Sequence, residues 1–414
     1  MKKFIFSIFI IFLSFSGFAK FESLDRIAII VNDGVVLESQ VQSMMQTFKT
    51  RLQEQDIPMP AESIIIQQVR ERLILEELQL QSAKRAGVRI SDAELNQAIA
   101  NIAAQNNFSI EQFIEAIESE GQVYATFREQ IRKEMIIQRV QRGKVGSQII
   151  ITDQELYAFI STEEAKTQLL PEFLIKQILV KDLETANNIR GMIESEASFE
   201  KLASEYSISS NASQGGSLGW RKAIDLPDLF FNNINNQRVG YITPPLKSGA
   251  GFHLLMLSDK RGPLVQYEDQ WNVRHILMSP TKLRDETFTQ EELEDVRKRL
   301  FAGEEFSLLA KEFSEDPGSA NKGGELGWLP KGATAPAFEK MMLETKIGEI
   351  SPVFESQFGF HFLEVLDTRN YDMTQDLIED RAYGVLFSRK FDEELENSLR
   401  TMRAEAFVEF KDLD

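Results

Sequence analysis

The 414-residue sequence contains no cysteine. A disulfide framework is thereby excluded, as is a lipid-modified N-terminal cysteine. Histidine is almost as scarce, occurring only as His253, His275 and His361. None has H-x-x-x-H spacing, and neither an acidic calcium loop nor a phosphate-cradling glycine loop is present, so no metal site and no cofactor is expected. Basic residues are in deficit, 46 Lys and Arg against 64 Asp and Glu, for a net charge of -18. Neutralising phosphates requires a basic face, so nucleic acid is set aside as a partner. Long apolar runs are missing except near the start, where Phe4 to Phe15 follows Lys2 and Lys3. That run is short of the ~20 residues that span a bilayer. Gly17, Phe18 and Ala19 then offer small residues at a cleavage site, so residues 1–19 read as a secretory signal and the mature chain begins at Lys20. The alternative is an uncleaved N-terminal anchor. Export of an acidic, cysteine-free chain points to the periplasm or the outside of the cell.

What is present is ordinary for globular protein: 43% hydrophobic and 27% charged residues. The length suggests more than one domain. A long internal repeat fixes the organisation. Gly215 to Leu255 and Gly323 to Leu363 align without a gap at a shift of 108 positions. The paired glycines, a Leu-Gly-Trp triplet, Phe230 with Phe338, Pro244 with Pro352, and a closing Gly-Phe-His all fall in register. Such a match marks a duplicated domain, and each copy is a control for the other.

Before the repeats, Arg26 to Val31 and Val35 to Leu37 flank Asn32-Asp33-Gly34, a tight-turn signal that predicts a hairpin. Three capping boxes follow, Ser91 with Glu94, Ser109 with Gln112, and Thr152 with Glu155, and Gly87 and Gly121 stand where helices end. Residues 21–165 therefore read as mainly helical. From Phe173 to Val180 a strand begins the first copy, followed by a helical stretch through Ala186 to Tyr206, a glycine-rich loop, more helix, and a closing strand around His253 to Leu257. The second copy repeats this from Trp271 to Leu366, with about nine extra residues in an acidic segment near Asp285 to Glu292. Each copy is of β-α-β-β type, which implies two compact α+β domains in tandem. The tail, Met373 to Arg403, has an amphipathic helical pattern and is followed by a strand-like Ala406 to Phe410. Its apolar face needs a surface to cover it, and the N-terminal helical domain is the expected one.

Gly215 to Gly219 matches the G-x-S-x-G pattern of hydrolases, but the second copy has Glu325 where the first has Ser217, so a nucleophile is rejected. The histidines carry more. His253 and His361 occupy the same place in both copies, whereas His275 corresponds to Gln177 and Asp316 to Ser209. A histidine within an apolar strand is by default a hydrogen-bonded core residue, and His253 is read that way. The second copy alone holds a polar triplet.

The segments VRHIL, FSLLAKEFSEDPGSANKGGELGW and PAFEKMMLETKIGEISPVFESQFGFHFLEV resemble the parvulin family of peptidyl-prolyl isomerases, and each copy covers one such domain. RIAIIVNDGVVLESQV and DRAYGVLFSRKFDEE resemble the ends of the SurA family of periplasmic chaperones. The resemblance spans the whole mature chain. It implies an α+β protein with a helical N-terminal domain (20–167) completed by a C-terminal helix and strand (371–414), plus two FKBP-like parvulin domains, 168–264 and 268–368. It also implies His275, Asp316 and His361 as catalytic residues, and Leu326, Thr334, Phe338 and Phe358 as the slot for a proline ring. Where Thr334 stands the family often has a larger apolar residue. The implied partners are unfolded outer-membrane proteins and the outer-membrane assembly machinery, met by a monomer that needs no cofactor. Three emphases stay open: a chaperone that chiefly holds chains, an isomerase whose main work is catalysis, and a foldase anchored in the inner membrane. The degenerate first copy favours the first.

Overall fold

The computed structural model describes residues 25–119 and 121–411. The signal segment 1–19 and the expected mature terminus at Lys20 lie outside the described residues. Two compact units are present, one formed by the chain up to Ile150 and again from Phe387, the other by Ile151–Leu386. Among the described residues, no helix is long and apolar enough to cross a membrane.

The first unit opens with the expected hairpin, β1 (Ile27–Val31) and β2 (Gly34–Leu37). Its turn is carried by Asn32 and Asp33, with Asn32 at φ +48°, while Gly34 already pairs with Val31. Helices α1 (Glu38–Glu54), α2 (Glu62–Arg85), α3 (Asp92–Gln105), α4 (Ile110–Ser119) and α5 (Tyr124–Gln141) follow. Ser91 caps α3 and shares a reciprocal box with Glu94, and Ser109 and Gln112 do the same ahead of α4. Hydroxyl and carboxyl or amide thus satisfy amides that have no partner within the helix. Two apolar clusters hold the unit: Ile29, Val31, Ile65, Val69 and Ile74 between hairpin and α1–α2, and Leu95, Ile99 and neighbours between α3, α4 and α5.

In the second unit, α6 (Asp153–Ile160) and α7 (Glu163–Gln168) precede the two copies. The first copy runs β3 (Glu172–Val180), α8 (Leu183–Glu194), α9 (Phe199–Tyr206), β4 (Ser217–Lys222), α10 (Asp228–Ile234), β5 (Leu246–Ser248) and β6 (Gly251–Arg261). The second runs β7 (Tyr267–Met278), α11 (Glu286–Phe301), α12 (Phe306–Phe313), β8 (Glu325–Pro330), α13 (Pro336–Glu344), β9 (Phe354–Ser356) and β10 (Gly359–Asp372). Their antiparallel sheets have the same order, β4-β3-β6-β5 and β8-β7-β10-β9. Two details differ from expectation. The single helical stretch is two helices broken at Glu196, which has φ +67°, and the glycine-rich loop leads directly into a strand. The extra residues of the second copy go into a longer β7–α11 connection and a longer α11.

Side chains alternate across each strand, so each sheet buries both faces. On one face of the second sheet, Ile276, Met278, Phe360 and Phe362 meet α11 and α12; on the other, Val273, Leu363 and Val365 meet Phe338 and Met342 of α13. The duplicated Trp serves this framework, for Arg261 lies over Trp220 at 4.4 Å and Arg369 over Trp328 at 4.2 Å. At the ends of β6 and β10, Lys260 Nζ meets Asp372 Oδ2 at 2.7 Å, both side chains largely buried.

The tail contributes to both units. Helix α14 (Thr374–Glu405) begins in the second, where Ile378 and Ala382 pack with Phe159, Ile160 and Ala165. Its final turns and β11 (Val408–Phe410) belong to the first, where β11 pairs with β1 and Met402, Ala406 and Val408 cover the hairpin cluster. Asn32 fixes this return: its amide donates to the Phe407 carbonyl and its Oδ1 accepts from the Phe407 amide, both at 2.9 Å.

Candidate active site

The α13 face of the second sheet carries His275 on β7 and His361 on β10. Pairing sets His275 opposite Leu363 and His361 opposite Leu277, so the two histidines are diagonal neighbours on one face. They are 5% and 3% exposed, and their rings stack 17° from parallel with centroids 5.5 Å apart. Their Nδ1 atoms are 3.3 Å apart.

Asp316 arrives from the loop after α12. That loop is pinned to β7, since the Glu315 amide donates to the Leu277 carbonyl at 2.8 Å and the Leu277 amide to Ser314 Oγ at 3.2 Å. Asp316 Oδ2 and Ser319 Oγ each lie 3.0 Å from His275 Nε2, and Ser319 donates to Asp316. Downstream, the Gly323-Gly324 pair lets the chain turn back onto β7. A Cβ on Gly324 would sit 2.3 Å from the His275 carbonyl oxygen, and the residue's φ of +82° is one that side chains rarely adopt. The same relation ties Gly216 to Gln177. The duplicated glycines therefore serve close backbone approach.

Hydrogen-bond direction follows from chemistry. A carboxylate only accepts, so His275 carries its proton on Nε2 and offers Nδ1 as acceptor. His361 must then donate from Nδ1, leaving its Nε2 to accept from Ser356 Oγ at 2.6 Å. The chain runs Ser356 to His361 to His275 to Asp316. Both imidazoles are neutral: burial lowers His275, and burial with the neighbouring His275 lowers His361 to about 4. Burial pushes Asp316 up, but hydrogen bonds from Ser319, His275 and the Gly318 amide outweigh it and hold the carboxyl at about 2.

The apolar wall adjoins this chain. Phe338 is 5% exposed and presents its ring edge-on to His275, His361 and Phe354, and Phe354 stacks on His361 at 5.4 Å. Leu326 packs in the same cluster. Thr334 sits just before α13 with a buried Oγ1 that has no partner. Phe358 stands apart from that cluster in the β9–β10 turn, 59% exposed, with its carbonyl accepting from Ser279 Oγ at 2.9 Å. Sequence reasoning missed Ser319, Ser356 and Phe354. Ser356 could have been found, because Ser248 matches it in the repeat register.

The first copy keeps the framework and reverses the chain. Gln177 Nε2 lies 2.7 Å from His253 Nδ1; an amide nitrogen only donates, so His253 carries its proton on Nε2 and gives it to Ser248 Oγ at 2.6 Å. Ser209 bonds Ser207 at 2.7 Å. Among the described residues no carboxylate anchors this network, and His253 is the hydrogen-bonded core residue the sequence suggested.

A duplicated α+β fold with paired histidines beside an apolar cluster fits one class, the PPIC-type or parvulin peptidyl-prolyl isomerases. Residues 180–259 and 264–369 each match a family model described as a PPIC-type PPIase domain, and residues 24–141 match the SurA N-terminal domain. The chain is 40% identical over 406 residues to Chaperone SurA of Alcanivorax borkumensis, covering 95% of this chain and 93% of that one. It is 40% identical over 405 residues to Chaperone SurA of Pseudomonas aeruginosa, covering 95% and 97%. The chain belongs to the SurA family of chaperones, and it is a peptidyl-prolyl isomerase of the parvulin type.

Proposed function

We propose that this chaperone isomerises X-Pro bonds mainly in its second parvulin copy and that it works in the periplasm on unfolded outer-membrane proteins. The observation that carries the reading is the Asp316–His275–His361–Ser356 chain against Phe338, which has no anionic counterpart in the first copy. In this reading, domains 168–264 and 268–368 are the two parvulin units, and 20–167 with 371–414 is the chain-holding part.

Rotating an X-Pro amide breaks its conjugation at a cost of about 18–20 kcal/mol and cleaves no bond. Leu326 and Phe338 grip the ring. The neutral histidine chain, polarised by Asp316, offers oriented dipoles to the twisting amide, and dipoles that favour the twisted over the planar form lower the barrier. Charge-assisted bonds are roughly twice as strong as neutral ones, which is why Ser209 is a poor substitute for Asp316. Arg284 is engaged by Glu315, by Glu292 at 3.5 Å and by the Ser279 carbonyl at 2.6 Å, so of the two cations in the connection after β7, Lys282 and Arg284, one is already neutralised, a poor match for a phosphorylated substrate.

The test is isomerisation of a short proline peptide by the full chain. His361→Ala or Asp316→Ala should remove about 90% or more of the activity, given the ~10²-fold scale of such groups, and His253→Ala little. Equal losses from His253→Ala and His361→Ala would reject the assignment to the second copy. Signal removal, with release of a mature chain beginning at Lys20, is tested by the mature N-terminus: full-length chain with Met1 in the inner membrane would reject it.

A further inference from the structure

Thr334 Oγ1 is buried and has no hydrogen-bond partner. Among the described residues it is the one such atom that belongs to the slot proposed for the proline ring. Its counterpart in the first copy is Leu226, which is 7% exposed and packs in one cluster with Phe230 and Leu246, the counterparts of Phe338 and Phe354. In the first copy this position closes the apolar cluster with carbon. In the second, a hydroxyl stands in its place. An unbonded buried hydroxyl destabilises a protein, by about 1–3 kcal/mol in general, and native structures keep such groups mainly where function uses them.

Resting on the reading of the second copy as the isomerase, we infer that the substrate completes this hydroxyl: Thr334 donates to a main-chain carbonyl of the bound X-Pro pair. The reason lies in proline itself. Its ring is apolar and its nitrogen carries no hydrogen, so the imide bond itself and the proline residue offer only carbonyl acceptors. Thr334 is then a specificity residue that recognises the backbone of the imide rather than the ring, and Leu226 denies the first copy that contact.

The experiment compares the full mature chain with Thr334→Val, which keeps the shape and removes the hydroxyl, and Thr334→Ser, which restores it. Thr334→Val should lower kcat/KM for a short X-Pro peptide about 3- to 10-fold, the worth of one hydrogen bond, and raise the thermal midpoint, because a buried group without a partner is gone. Thr334→Ser should recover most of the lost activity. Wild-type activity in Thr334→Val, or an equal loss in both variants, would overturn the inference. So would a lower midpoint in Thr334→Val, since it would mean that the hydroxyl is already bonded in the free protein. Should the wild type itself fail to isomerise the peptide, the isomerase reading falls separately. NMR titration with the same peptide then decides the contact, weaker binding by Thr334→Val upholding it and equal binding overturning it.

Discussion

His275 and His361 point Nδ1 at Nδ1 across 3.3 Å, and only one of the two nitrogens can hold a proton. Asp316 decides which, because its carboxylate claims the Nε2 proton of His275. The polarity of the second copy thus originates in one loop residue, and that of the first in the amide of Gln177.

Ser356 sits at the donor end of this chain, with its Oγ also accepting the Phe358 amide at 3.1 Å. Ser356→Ala leaves His361 Nε2 without its donor and should lower kcat/KM about 3- to 10-fold, the value of one hydrogen bond. The Phe358 turn should loosen with it. Proline-peptide kinetics together with amide exchange at Phe358 check both effects; unchanged kinetics would remove Ser356 from the site.

The histidine pair makes a pH prediction. His361 falls from its ordinary 6.5 to about 4 on folding, and His275 and His253 also fall, so between these values the unfolded chain binds more protons than the folded one. Their contribution is present above pH 6.5 and is lost as pH drops towards 4. Asp316 does not offset this, since its carboxyl stays ionised down to about 2. Denaturant melts should show stability declining as pH falls from 6.5 towards 4, and isomerase activity of the folded protein should be lost only below 6.5, the ordinary imidazole value, as the pair takes up its first proton. An activity midpoint near 6.5 would contradict the neutral, buried pair.

Gly324→Ala places a Cβ against the His275 carbonyl at a positive φ. Backbone strain of this kind costs on the order of 1–3 kcal/mol. We expect a destabilised second copy with activity lost alongside, and a similar loss of stability from Gly216→Ala without loss of activity. Thermal melts with the peptide assay separate the two cases.

Deleting residues 268–368 and joining the ends by a short linker should leave aggregation suppression largely intact. The hairpin, α1–α5 and the end of α14 form a unit with its own apolar clusters, and they expose Ile57, Met59, Ile64 and Phe407 to solvent. Exposed apolar surface is what an unfolded chain seeks. Loss of suppression with the remainder folded would move client binding to the second copy.

Sequence alone determined the duplication, the α+β character of each copy, the capping boxes and the difference between His275 and Gln177. These are legible because each is a local pattern or a comparison between copies. It did not disclose that the glycine-rich segment opens into β4 and β8, since glycine spacing reads as a loop until a neighbouring strand is there to pair with it. Nor did it disclose Ser319, Phe354 or the direction of the hydrogen-bond chain. Those were decided by tertiary structure: His275, Asp316 and the Ser356–His361 hairpin are three segments separate in sequence, and antiparallel register with the close approach allowed by Gly324 brings them within hydrogen-bond reach. Donor and acceptor roles have no meaning until the partners are adjacent, so two histidine positions that look alike in sequence, 253 and 361, acquire opposite tautomers in the fold.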